Sequence, residues 1–129
     1  MPPDGSALPV IVHAASFERV HYALVLASGA AAIGRKPVLF FTGPALLALI
    51  DWQRLEDSEA DSRFRGRGVA GFEELLQACA ALGVRFIACE MALKARGLAA
   101  AELRQDVEIE IAGVVTLLGA ASGVGVTFI

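Results

Sequence analysis

Two cysteines are the side chains of this sequence best suited to nucleophilic chemistry. Cys89 lies in 84-VRFIACEMALKARGL-98, where an apolar run meets an amphipathic run. A cysteine at the start of a helix lies near unpaired backbone N–H groups and the positive end of the helix dipole, and both favour the thiolate. The adjacent carboxylate of Glu90 opposes that effect if it turns toward the sulfur. The position therefore allows two interpretations, a reactive thiol or a buried structural cysteine.

The second cysteine, Cys79, shares a helical stripe with Phe72, Leu75 and Leu76, which predicts a place in the core. A disulfide to Cys89 cannot be judged without the distance between the two residues. The two histidines and two cysteines form no recognised ligand spacing, and the sequence contains neither GxGxxG nor a P-loop. We therefore expect no metal and no cofactor.

Other polar residues are weaker candidates for auxiliary roles. His13 ends an apolar run, so it is a possible acid, base or proton donor, although a histidine hydrogen-bonded to backbone at a strand end is more common. The segment 63-RFRGRG-68 carries three arginines that could clamp an anion or dock an acidic partner: Arg63, Arg65 and Arg67. The simpler interpretation is a solvated loop whose basic half offsets the acidic residues just before it.

Composition restricts the possible partners. The chain has 129 residues, enough for one domain. A hydrophobic share of 56% and a mean hydropathy of +0.60 exceed what a monomer needs for its interior, so we expect a homo-oligomer. A net charge of −3 argues against a nucleic-acid binder with a broad basic face. The first residues resemble no export signal, so reduced thiols in the cytoplasm are expected.

Alternating patterns predict a single domain over residues 1–129, with a short tail at 1–7 and an exposed charged loop at 52–70. Residues 107–111 fit a half-exposed strand but also a helix that runs on to 121. The uncharged segment from Ile111 to Ile129 is long enough for a membrane span, but its glycines divide it, and we expect none. Strands are otherwise predicted at 8–13, 37–42, 84–88 and 124–129, and helices at 17–33, 71–82 and 90–96, with a further helix after Gly43 and Pro44.

Strands that alternate with helices favour parallel pairing and right-handed crossovers. The expected fold is therefore a three-layer α/β/α sandwich with about five mostly parallel strands. Reactive groups in such sheets gather beyond the carboxyl ends of the strands, which here are 13-HAASFE-18, 42-TGPA-45, 88-ACEM-91 and the residues after Ile111. The first of these lacks the glycine of a flavin-phosphate cradle. A phosphate-accepting receiver domain would need an acidic pair after the first strand and an aspartate at the end of the third, where this chain has His13-Ala14-Ala15 and Cys89.

Two longer stretches resemble the DsrE/DsrF-like family: 71-GFEELLQACAALGVRFIACEMALKARGL-98 and 107-VEIEIAGVVTLLGAASGVGVTFI-129. The resemblance spans about Leu8 to Ile129 and implies a flavodoxin-like α/β/α fold and an oligomer, often a trimer or hexamer. It also implies cytoplasmic sulfur relay between a donor and an acceptor protein. In sulfur-carrying members a cysteine after the third strand holds a persulfide, a role that the resemblance assigns to Cys89.

Two hypotheses follow. In the first, the protein is a sulfurtransferase or persulfide carrier in which Cys89 accepts sulfane sulfur and passes it to a partner thiol. In the second, it is a non-catalytic oligomeric binding or scaffold protein of the same fold, in which Cys89 is buried and a small ligand binds at the rim of the sheet. The accessibility of the Cys89 thiol distinguishes them.

Overall fold

One parallel five-stranded sheet organises the computed structural model, which describes residues 6–121 and 123–129. The strands are β1 (Ala7–Val12), β2 (Lys36–Phe41), β3 (Arg85–Cys89), β4 (Ile109–Ala112) and β5 (Thr127–Phe128). They lie in the order β4-β3-β2-β1-β5, as expected for an α/β fold. The segment predicted at 107–111 is a strand from Ile109 onward, and not a helix.

Helices connect the strands. Ser16 caps the first of them by accepting a hydrogen bond from the Arg19 backbone N–H at 3.4 Å, as its position before the apolar run predicts. Short 3-10 helices occupy Gly43–Leu49, Trp52–Arg54 and Ala100–Glu102. The α-helices are α1 (Phe17–Ala32), α2 (Ala60–Gly66), α3 (Phe72–Ala81), α4 (Glu90–Ala95) and α5 (Val114–Ala120).

The direction of each crossover gives the sheet its two helical layers. The chain steps in one direction from β1 through β4, so right-handed crossovers place α1 and α3 on the same face. It then returns across the whole sheet to β5, which places α5 on the opposite face. Consistent with this, α1 packs on α3, β1 and β2, while α5 packs on β1 and β2 from the other side. The expected three-layer sandwich is therefore present, with a thin second layer.

The expectation of an exposed loop at 52–70 was wrong for its central part, which forms α2. Phe64 on this helix packs against the rings of Phe17 and His21, at centroid distances of 6.1 and 5.0 Å. Ala60 and Phe64 are one helical turn apart, so a narrow apolar stripe suffices to dock the helix, while Arg63 and Arg65 stay exposed. The dense charge of the segment concealed that stripe.

The ends of the chain also differ in detail from the expected bounds. Residues 1–5 of the expected tail lie outside the described residues, and Ala7 already pairs with Lys36 in the sheet. The final strand is shorter than expected because only Thr127 and Phe128 pair with β1. No helix in the part of the chain that the structure describes is long and apolar enough to cross a membrane, and α5 has only seven residues.

Candidate functional site

The carboxyl ends of the central strands place Thr42 beside Cys89. Phe41 of β2 pairs with Ala88 of β3, so the next residue of each strand continues the same register. Side chains alternate between the two faces of a strand, and Thr42 keeps an extended backbone (φ −141°, ψ 166°). Thr42 and Cys89 therefore lie on the same face as Phe40, which pairs with Ile87. This is the face that α5 covers.

An open pocket of about 540 Å³ occupies this end of the sheet, between the starts of α4 and α5. Its wall is mainly apolar, and three polar or charged side chains interrupt it: Thr42, Glu90 and Lys94. Among the described residues, no group of three His, Cys, Asp or Glu side chains is placed to hold a metal ion. The pocket is lined by Ile11, Phe40, Thr42, Cys89, Glu90, Met91, Lys94, Gly113, Val114 and Phe128.

Cys89 is the nucleophilic residue in this wall. It is the N-cap residue of α4, a helix of six residues, and its side chain makes no capping hydrogen bond. Only 8% of the residue is exposed, yet it borders the open pocket. A reagent that enters the pocket therefore meets this thiol at the bottom of an apolar wall.

Cys79 lies in a different environment. It is fully buried between α3 and α1, and its S–H donates to the Leu24 carbonyl oxygen at 3.4 Å. Desolvation in the core raises the pKa of its thiol to about 11. The burial of Cys79 confirms its predicted place in the core. Both cysteines are free, so the structure contains no disulfide between them.

Opposite charges flank the pocket on α4. Glu90 and Lys94 are one helical turn apart, both are exposed, and both line the pocket. The negative charge that the sequence places beside Cys89 is therefore accompanied by a positive charge on the same wall.

His13 lies at the same end of the sheet, one strand further away. Its ring stacks on Phe128 at a centroid distance of 5.8 Å and lies against Gly43. A Cβ added to Gly43, whose φ is +56°, would come within 2.7 Å of the His13 Nε2 atom, so only glycine fits there. Strand β2 separates His13 from Cys89, which corresponds to about 10 Å between their backbones. Phe128 is the side chain that contacts His13 and also lines the pocket.

The three arginines lie elsewhere. Arg65 donates from Nε to the Asp61 carboxylate at 3.0 Å, an ion pair within α2. Arg63 and Arg67 are exposed, and none of the three lines the pocket that contains Cys89. The structure thus brings Cys89 together with Thr42, Glu90 and Lys94 and leaves the arginines on another surface.

Sequence reasoning identified the 42-TGPA-45 segment as part of the rim but attached no role to Thr42. It also gave no indication that Phe128 belongs to the site. Phe128 lines the pocket because β5 returns to pair with β1, where Phe128 lies beside Ile11. No local pattern in the sequence signals that pairing, whereas a β-branched polar residue at a strand end is a signal that could have singled out Thr42.

Comparisons with known proteins agree with this architecture. The model of the DsrE/DsrF-like family matches residues 10–123. The chain is similar in structure to the YchN protein from E. coli, with a TM-score of 0.62, 17% identity, and coverage of 97% of this chain and 99% of that one. It is equally similar to MTH1491, a protein of unknown function from Methanobacterium thermoautotrophicum, with a TM-score of 0.62, 18% identity, and coverage of 98% and 100%.

No curated protein matches this chain. At these identities the two structural neighbours establish the fold alone. The family match covers most of the sequence, including the strand, cysteine and helix that form the pocket wall. The chain is a member of the DsrE/DsrF-like family.

Proposed function

We propose that this protein carries sulfane sulfur as a persulfide on Cys89 and passes it to the thiol of a partner protein. The family is known for sulfur relay, which supports the reaction class. The observation that carries the proposal is the position of Cys89 on the wall of an open pocket at the carboxyl ends of the strands. A cysteine that served only as core filler has no need to border such a pocket, and Cys79 shows what a core cysteine looks like in this fold.

The chemistry requires two thiol exchanges. The Cys89 thiolate attacks the outer sulfur of a donor persulfide, R–S–SH, so that an S–S bond forms at Cys89 and the donor leaves as R–S⁻. The thiolate of an acceptor then attacks the outer sulfur of Cys89–S–SH. This step gives the acceptor persulfide and restores the Cys89 thiolate, so the carrier is unchanged after each cycle.

Several features of the pocket suit this exchange. At the N-cap of α4, a Cys89 thiolate is close to backbone N–H groups of the first turn that have no partner within the helix. The Lys94 ammonium on the same wall attracts an anionic sulfur donor or acceptor that enters the pocket, while the Glu90 carboxylate repels it.

The proposal is tested by incubating the protein with glutathione persulfide and measuring its intact mass. We expect an adduct one sulfur atom heavier in the native protein and in Cys79→Ala, but none in Cys89→Ser. The adduct should transfer to a thiol acceptor added afterwards. A native protein that stays unmodified under these conditions contradicts the proposal.

Alkylation at neutral pH separates this function from the scaffold hypothesis. If the protein is a carrier, iodoacetamide modifies Cys89 in the folded state, whereas Cys79 reacts only after unfolding because it is buried and its pKa is raised. Equal resistance of both cysteines favours a scaffold with a structural Cys89. We further propose that the carrier acts in the cytoplasm, where thiols stay reduced, between a sulfur-donor and a sulfur-acceptor protein.

A further inference from the structure

The Thr42 hydroxyl is a polar group of the pocket that has no role in the proposed thiol exchanges. The threonine is the N-cap residue of the 3-10 helix Gly43–Leu49, but its side chain makes no capping hydrogen bond. It is half-buried and lines the same apolar pocket as Cys89. A hydroxyl in an apolar wall, with no partner among the described residues, is available to a molecule that enters the pocket.

Register places this hydroxyl near Cys89 without bonding it to the thiol. Adjacent strands are about 4.8 Å apart, and Thr42 directly follows β2 in register with Cys89, the last residue of β3, on the same face of the sheet. The two side chains form no hydrogen bond with each other. A persulfide extends Cys89 by one S–S bond of about 2 Å, so its outer sulfur reaches parts of the pocket that the thiol sulfur does not.

The outer sulfur of a persulfide is a suitable acceptor for a hydrogen bond from this hydroxyl. An ionised persulfide carries its negative charge on the outer sulfur. A hydrogen bond to a charged acceptor is stronger than one to a neutral acceptor. A hydroxyl at the right distance therefore stabilises the loaded state of the carrier relative to the empty one.

We infer that Thr42 is a positioning residue that donates its hydroxyl hydrogen to the outer sulfur of the Cys89 persulfide. This inference rests on the proposed sulfur-carrying function and extends it to a second residue. Thr42 holds the terminal sulfur toward the mouth of the pocket, where an acceptor thiolate attacks it. It has no effect on the empty thiol.

The test compares Thr42→Val, which removes the hydroxyl with little change of shape, with Thr42→Ser, which retains it. Each protein is equilibrated with glutathione persulfide and glutathione at fixed ratios, and the loaded fraction is read from the intact mass. We expect the equilibrium constant for loading to fall about tenfold in Thr42→Val, the effect of one charge-assisted hydrogen bond, and to return to the native value in Thr42→Ser. The rate of Cys89 alkylation in the unloaded protein should be the same in all three.

Each other result overturns a defined part of the inference. Equal loading of Thr42→Val and native protein removes the role of the hydroxyl while leaving Cys89 as the carrier. Low loading in Thr42→Ser as well overturns the inference, because serine retains the hydroxyl and the native shape of the side chain would then be what loading requires. Slower alkylation in Thr42→Val assigns the contact to the thiol and not to the outer sulfur, and a native protein that does not load at all overturns the carrier function together with the inference.

Discussion

At the scale of single residues, the two cysteines differ in the groups that surround their thiols. Cys79 is enclosed by helices and bonds to a backbone carbonyl, whereas Cys89 caps a short helix and borders a pocket. Both are buried by area, at 0% and 8% exposure, so burial alone does not separate them. The neighbouring surface separates them, because Cys79 is enclosed on all sides and Cys89 borders an open pocket.

The buried thiol of Cys79 predicts a dependence of stability on alkaline pH. Its pKa is raised from 9.0 in the unfolded chain to about 11 in the fold, so the folded state holds the proton more tightly. The stabilising effect is complete below pH 9 and is lost as the pH rises to 11. We expect the free energy of unfolding to fall by about 2 kcal/mol more in the native protein than in Cys79→Ala over this interval, as measured by urea denaturation. Parallel pH profiles of the two proteins contradict the prediction.

At the scale of elements, a buried carboxylate joins two helices that sequence patterns treated separately. Asp61 of α2 accepts a hydrogen bond from the backbone N–H of Phe72, the first residue of α3, at 2.7 Å. It also accepts from Arg65 Nε at 3.0 Å. The N-cap residue of α3 is Gly71, which has no side chain to cap with, so the carboxylate of α2 supplies the acceptor.

This cap predicts a sizeable cost for Asp61→Ala. The substitution leaves the Phe72 N–H buried without a partner and removes the ion pair with Arg65, so we expect the free energy of unfolding to fall by about 2 kcal/mol. Glu59→Ala is the matched control, because it removes an exposed carboxylate two residues away that makes no capping bond. Urea denaturation of both variants measures the difference. Equal stabilities would mean that Asp61 is not the cap.

At the scale of the whole molecule, the helical layer on one face of the sheet consists of α5, whose own apolar side chains are largely exposed. Leu117 is the buried residue of this helix, while Val115 is 79% exposed and Leu118 is 54% exposed. The chain that follows adds further exposed apolar residues, namely Val124, Val126 and Phe128, of which Phe128 lines the Cys89 pocket. This number of exposed apolar side chains near one end of the chain favours association.

We therefore predict a homo-oligomer, of three or six chains if it follows the family pattern, assembled through α5. Val115→Glu should shift the protein toward the monomer, because a carboxylate buried in an apolar interface has no partner. Ile33→Glu is the control, since it replaces an exposed apolar residue at the end of α1, on the opposite face of the sheet. Light scattering at micromolar concentration measures the mass. A native species of 13.5 kDa contradicts the prediction.

Local patterns were sufficient for most elements. The apolar runs that became β1, β2 and β3 and the stripe of α3 were recognisable because hydrophobic periodicity depends on neighbours a few residues apart. The failure at α2 has the same origin. Its stripe of Ala60 and Phe64 is short, and only contact with α1 makes it a stable helix.

The candidate site divides in the same way. The sequence alone placed Cys89 at the junction of a strand and a helix, and therefore at the rim of a parallel sheet, because both features are local. Tertiary structure decided what surrounds it. The register of β2 and β3 places Thr42 beside Cys89, and the pairing of β5 with β1 places Phe128 in the pocket wall. The packing of α2 against α1 leaves the three arginines on another surface. These arrangements depend on pairings between residues far apart in the chain, and such pairings leave no periodic signal from which they can be predicted.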